Sequence, residues 1–462
     1  MLLFALFISA DTRNITVVWM APKYMPPSTV IFVNASTSVG AMSLAIQRVY
    51  DEGILNIGQL SVYWLDDGCD SKQSIGKFTD FLFNNIPDVI FGPPCTKAMI
   101  PIAELASYRN IPVFGWISNE ETLDNKTKLD TLSRLIPPIT ELGGIFSYFI
   151  LIFNWLRFVI ISSEDAECNA YANAFISTFE STTFSFTIAH HYARVDVNVT
   201  EDKIDDMLNA IKYEGRIVIL IVPESELRTY MVRAAVLGMA EGDYQFLFVK
   251  TVIPTPQDKV KLATTQLWWR GDGLDSYARR ACESLLFIVF ADYFEDTSSW
   301  EATSRAATET LLGNNTNMPP WAEPDIYSPF LHDAVYMYAK ALNQSGGDPD
   351  AVNGTSIAEA AARITFKGLS GDVVMSYLHD RYPDITVYDM TAHGNFTIVA
   401  YLRFVIENSY IDIKSNVTTI RWGNGQTSAD FTPKDTPACG FYNENCPVKT
   451  SKYNSAFVKE TK

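Results

Sequence analysis

The sequence predicts an α/β protein built as two doubly wound parallel-sheet lobes, joined by a hinge that the chain crosses more than once. Three observations predict it. At 462 residues the chain exceeds what one hydrophobic core serves. Apolar, β-rich runs alternate with helical patterns, the rhythm of parallel strands covered by helices on both faces. That rhythm restarts after "LIPPITELGG", where Pro137 and Pro138 mark the passage from one lobe to the next.

Taken in order, "ITVVWMAP" leads into the helical "GAMSLAIQRVYDEG", "LSVYWLDD" into "SKQSIGKFTDFLFNN", and "VIFGPPC" into "AMIPIAELASYRN", followed by the strand "IPVFGWIS". The second lobe begins with the helix "GGIFSYFILIFNW" and the strand "FVIISSE". It continues through "NAYANAFISTFEST", "FTIAHHYA", "EDKIDDMLNAIKYE", "IVILIVP", "SELRTYMVRAAVLGM" and "YQFLFVK". The last third is less regular. Helices are expected at 298–312, 329–344 and 355–365, then a strand "IVAYLRFVIE", with a further crossing in the polar, Gly-rich piece 343–354. If these elements complete both lobes, the lobes close over a cleft like a clamshell.

A net charge of -17 and the absence of any Lys/Arg run exclude a nucleic-acid binder, which needs a basic stripe to displace counterions. Nine Asn-X-Ser/Thr sequons, at Asn14, Asn34, Asn125, Asn198, Asn314, Asn343, Asn353, Asn395 and Asn416, favour a secreted, glycosylated surface. Chance supplies about three or four at this Ser/Thr content. "MLLFALFISA", residues 1–10, reads as a short signal peptide without a basic leader. The apolar stretch 145–161 carries Asn154 and Arg157 and reads as helix then strand rather than a membrane span.

Six cysteines in a secreted chain should pair, and fifteen connectivities are open. Two pairs are geometrically natural. Cys69 and Cys95 follow the second and third strands and so lie at one carboxyl edge of the first sheet, while Cys439 and Cys446 make a tight clip. Cys168 and Cys282 pair only by elimination. No C-x-x-C cluster calls for a metal, and without a Walker loop or G-x-G-x-x-G no cofactor is expected.

Ligands of doubly wound sheets bind outside the carboxyl ends of strands. The candidates are therefore Lys23 and Tyr24, Asp66 and Asp67, the run Trp116, Ile117, Ser118 and Asn119, then Ser163 and Glu164, Glu224 and Ser225, and Lys250. Ser163 and Ser225 precede helices, where a hydroxyl holds an anion or simply caps the helix. Catalytic constellations fail. His190 and His191 have no nucleophile motif nearby, and His332-Asp333 lies within a helical block.

Blocks spread over residues 15–447 resemble the extracellular receptor-family ligand-binding region. They are "FGPPCTKAMIPIAELASYRNIPVFGW", "LSRLIPPITELGGIFSYFILIFNWLRFVIISSE", "RAAVLGMAEGDYQFLFV", "FLHDAVYMYAKALNQ", "FKGLSGDVVMSYLHDRYPDITVYDM", and "RWGNG" through "PACGFYNENCP". The likeness is greatest to the outer domain of receptor-type guanylate cyclases and natriuretic peptide receptors. It implies a type I periplasmic-binding-protein-like fold, a Cys69–Cys95 bridge and a Cys439–Cys446 clip just outside a membrane span. It also implies a homodimer that binds an extracellular peptide or small molecule and signals to an intracellular kinase-like region and cyclase, with no catalysis in this part.

On that basis a membrane-distal lobe is expected from 14–137 with 276–345, a membrane-proximal lobe from 138–275 with 346–435, and a juxtamembrane clip and tail from 436–462. Two departures stand out. The natriuretic group holds chloride on backbone amides at the positions of Pro94 and Cys95, and Pro94 has no N–H. The family's second bridge joins the position of Cys168 to the "IVILIVPES" region, which has no cysteine here, leaving Cys282 as partner. Metabotropic glutamate receptors carry a Ser/Ala/Thr-rich loop where this chain reads "GWISNEETLDN", which argues against glutamate-like binding. A secreted binding protein of the same fold, or a metabotropic-type domain, is the alternative.

Overall fold

The computed structural model describes residues 13–25, 33–194, 199–290, 324–362, 364–407 and 410–446. The expected signal peptide, the helix at 298–312 and the sequons at Asn198 and Asn314 lie outside them.

The first sheet is all parallel, in the order β2-β1-β3-β4-β5. Its strands are β1 (Ile15–Met20), β2 (Leu60–Leu65), β3 (Val89–Phe91), β4 (Val113–Gly115) and β5 (Leu132–Arg134). The interposed helices are α1 (Ala35–Asp51), α2 (Ser71–Leu82) and α3 (Thr96–Arg109). Successive strand residues face opposite sides, so Val17, Trp19 and Phe91 enter one core while Val18, Met20 and Ile90 enter another. A strand buried on both faces needs this near-continuous apolar run. β3 ends at Gly92, whose φ of +86° turns the chain and where a Cβ would stand 2.4 Å from the Met20 carbonyl oxygen.

Residues 135–138 carry the chain into the larger lobe, where α4 (Ile139–Ile152) precedes β6 (Arg157–Ser163). There follow α5 (Ala166–Ser181), β7 (Thr187–Arg194), α6 (Glu201–Ile211), β8 (Ile217–Ile221), α7 (Glu224–Val236), β9 (Gln245–Lys250), α8 (Pro256–Ala263), α9 (Asp275–Cys282) and β10 (Leu285–Phe290). The chain then returns to the smaller lobe. There α10 (Ser328–Gln344) packs on α1, α11 (Gly354–Ala361) packs on α10, and the hairpin β11 (Thr365–Gly368) and β12 (Gly371–Val374) closes the same core. A third crossing delivers the antiparallel strands β13 (Asp384–Met390), β14 (Phe396–Glu407) and β15 (Tyr410–Val417) to the larger sheet, ordered β15-β14-β13-β10-β9-β8-β6-β7.

This pairing shifts the expected lobe boundaries. Residues 285–290, "LLFIVF", form an interior strand between β9 and β13, and the apolar character of every position suits burial on both faces. Conversely, 354–374 belongs with the smaller lobe.

Cys69 and Cys95 are bridged, with Cα atoms 5.4 Å apart, and so are Cys439 and Cys446, at 4.8 Å. The expected Cys168–Cys282 bridge is absent: both thiols are free and buried. Cys168, on α5, belongs to the core on one face of the larger sheet, and Cys282, at the end of α9, to the core on the other. The sheet itself stands between them.

Where the first and third crossings leave the smaller lobe they are paired. The Arg134 N–H donates to the His379 carbonyl at 2.9 Å and the Arg381 N–H to the Arg134 carbonyl at 3.0 Å. The fully buried Arg134 guanidinium grips Asp380 with two hydrogen bonds, of 2.8 and 2.7 Å, and Asp124 with one of 2.6 Å. The Lys126 ammonium adds a bond of 2.8 Å to Asp380. Burial works against the ionised Asp380 carboxyl, yet the charges of Arg134 and Lys126 outweigh it and hold it below the usual carboxylate range.

Candidate functional site

The carboxyl edges of the two sheets face each other across a cleft of about 570 Å³. That volume suits a small organic ligand. The smaller lobe contributes the Cys69–Cys95 bridge, the first turn of α3 with Thr96 and Lys97, and the loop after β4 with Ser118, Asn119 and Glu120. The larger lobe contributes the first two turns of α5, with Asp165, Glu167 and Tyr171, and Thr251 after β9. Ile100, Ile117, Ile136, Ile139 and Ile253 make the floor apolar, and Tyr327, just before α10, closes the back.

Local bonds fix this geometry. The Ser118 hydroxyl donates to the carbonyls of Pro94, at 2.8 Å, and Pro93, at 3.2 Å, tying the loop after β4 to the turn that carries Cys95. Asp165 caps α5, accepting from the Cys168 N–H at 3.0 Å. Two residues on, Glu167 lies beside Thr251. Burial, and next the charge of Asp165, push the Glu167 carboxyl up to about 7. Behind the bridge, Asp67 is fully buried. One of its oxygens accepts from the Cys69 N–H at 2.7 Å, the other has no partner among the described residues, and burial raises the group to about 7.

Of the ligand candidates singled out from the sequence, Ile117, Ser118 and Asn119 line the cleft. The others do not. Lys23 and Tyr24 lie outside it, with Tyr24 exposed and the Lys23 N–H bonded to Asp66 at 2.8 Å. Trp116 is core, packed among the residues behind β3 and β4. Ser163 is buried at the end of β6, and the Glu164 N–H donates to the Arg194 carbonyl. Glu224 is committed to ion pairs with Lys250 and Lys261, and its neighbour Ser225 does not reach the cleft. Glu167, Tyr171 and Tyr327 were not singled out. They sit beyond the strand-end loops, and the only sequence signal for Glu167 and Tyr171 is their place in the first two turns of the helix after β6.

Two lobes with parallel-sheet cores, three crossings and a ligand-sized cleft at the carboxyl edges define a clamshell architecture. The receptor family ligand binding region matches residues 38–393, and the chain belongs to that family, with the type I periplasmic-binding-protein-like fold. The chain is 25% identical to the receptor-type guanylate cyclase gcy-13 of Caenorhabditis elegans over 455 residues, covering 90% of this chain and 41% of the relative. It is 23% identical to guanylate cyclase 2G of Mus musculus, covering 89% of this chain and 37% of the relative. It is 24% identical to the receptor-type guanylate cyclase gcy-1 of Caenorhabditis elegans, covering 97% and 42%. The chain thus spans about two fifths of the length of these relatives. Among the described residues no helix is long and apolar enough to cross a membrane.

Proposed function

We propose that the chain is the extracellular sensor of a receptor of the guanylate cyclase type, binding a peptide or small molecule between its lobes and signalling by rearrangement of a dimer. The observation that carries this reading is the cleft of about 570 Å³ lined by both lobes, with paired crossings beside it. A ligand touching both walls favours whichever lobe arrangement makes both sets of contacts, and that differential affinity is the signal. In this reading the chain acts by binding, and the chemistry belongs to the intracellular part of the receptor.

A glycosylated outer surface fits the sequons. Asn14, Asn125, Asn343, Asn353 and Asn416 are exposed, while Asn34 and Asn395 are half-buried. Asn34 and Asn353 also cap α1 and α11 through side-chain oxygens that accept backbone N–H groups.

The test joins this chain to the remainder of a receptor-type guanylate cyclase in cultured cells and reads cGMP against a panel of small molecules and peptides. Ala170 lines the cleft on α5. A response that disappears in Ala170→Trp at unchanged surface level is expected. A response that Ala170→Trp leaves intact would move the ligand out of the cleft.

A further inference from the structure

The cleft's charges do not balance. Its described lining carries three carboxylates, of Glu120, Asp165 and Glu167, against one ammonium, that of Lys97. Of the three, Asp165 is occupied in capping α5. Glu167 is half-buried beside Thr251, with no salt bridge to any described residue. Lys250 lies within electrostatic reach but is already committed to Glu224 and to Asp258, the latter at 3.2 Å. A partly desolvated carboxylate without its own countercharge is costly unless something brings the missing cation.

The surroundings say what shape that cation has. Tyr171 and Tyr327, each 5% exposed, sit close enough to interact with the charge of Glu167. Asn119 lies close to Tyr171, and the Ile253 backbone close to Tyr327. Both rings are buried near the carboxylate. Aromatic rings around an ammonium add cation–π attraction. The isoleucine floor offers the rest of the ligand an apolar bed.

Resting on the reading that the cleft is the ligand site, we propose that it takes a small organic cation, an amine with an apolar body. The ammonium donates to Glu167 beside Tyr171 and Tyr327, and the body lies on the isoleucines. In the empty cleft burial holds part of the Glu167 population protonated near neutrality. The groups facing it are Asp165 and Cys168 on α5, Lys250 at the end of β9, Tyr171 and Tyr327. An arriving ammonium favours the ionised form and expels the proton, so affinity rises with pH through about 7 and then levels.

The test uses the whole purified chain and three probes of one shape: 2-phenylethylamine, 2-phenylethanol and 3-phenylpropionate, titrated calorimetrically at pH 8. The amine is expected to bind about tenfold tighter than the alcohol, and the carboxylate most weakly, the gap being that of one charge-assisted hydrogen bond. Glu167→Gln should bring the amine to the level of the alcohol while alcohol binding survives, which shows that the variant is folded. Tyr327→Phe, which keeps the ring, should retain the preference for the amine. At pH 6 the heat of amine binding should vary with the buffer's ionisation enthalpy in the native protein and not in Glu167→Gln, a signature that a merely structural Glu167 would not give. Equal binding of amine and alcohol, tightest binding of the carboxylate, or no binding of any probe overturns the inference. The receptor reading is tested separately: a cGMP response to an uncharged or anionic ligand leaves it standing and sinks this one, whereas amine binding without a cGMP response does the reverse.

Discussion

Replacing Asp67 by Asn should stabilise the protein at alkaline pH and leave it unchanged in acid. The Asp67 side chain is fully buried behind the Cys69–Cys95 bridge, with one oxygen bonded to the Cys69 N–H and the other without a partner among the described residues. Burial, in the first place, lifts its carboxyl from 3.8 to about 7. Because the folded value lies above the unfolded one, the native state holds the proton longer. The favourable contribution is complete below about pH 4 and is lost as pH climbs through 7. Carrying the ionised group then costs the folded state about 4 kcal/mol as an order of magnitude. Asn keeps the acceptor for Cys69 and never ionises. For a lobe of this size, the difference corresponds to about 10 °C in melting temperature at pH 8 and almost none at pH 4. Calorimetric melting of both proteins across that range, with disulfides intact, measures it. A gap that is the same at pH 4 and pH 8, or a variant less stable at pH 8, would refute the argument.

Arg134→Met leaves Asp380 without its bidentate partner inside the protein, and should cost about 3–5 kcal/mol, read as a lower denaturation midpoint. The free thiols give a third check. Burial raises both, that of Cys282 to about 12, so Ellman's reagent should find no rapidly reacting thiol in the native protein and two after denaturation. Four-thiol or zero-thiol counts in denaturant would contradict the bridges described above.

The first sheet was legible because its strands carry a double signal. "VVWM" and "VIF" are apolar at every position, and each is followed by a turn and a helix-period segment. The Cys69–Cys95 bridge followed from that, since consecutive parallel strands end at one edge. The Cys168–Cys282 pairing failed for the complementary reason. Sequence shows that α5 and α9 each pack on a sheet, but not on which face, and they take opposite ones.

The boundary near residue 280 was missed because β10 is a short apolar run that periodicity alone does not place, and its pairing with β9 and β13 depends on contacts about a hundred residues apart in sequence in the latter case. In the cleft, reading the loops after strands located Ser118 and Asn119. Glu167 and Tyr171 lie in the first and second turns of α5, and whether such positions face a cleft or a core depends on how the helix is rotated against its sheet. Glu224 looked equally promising, but only the fold brings Lys250 and Lys261 to neutralise it.

The side-by-side departure of the first and third crossings has a mechanical consequence. A single strap lets two bodies swivel about it, whereas two straps joined edge to edge make a leaf spring, soft to flexing across its flat side and stiff to shear within its plane. Arg134, clamped to Asp380 where the spring is rooted, acts as the rivet. Any opening of the jaws would then have to bend this spring across its flat side, because shear within its plane would break the paired backbone bonds and the Arg134–Asp380 grip.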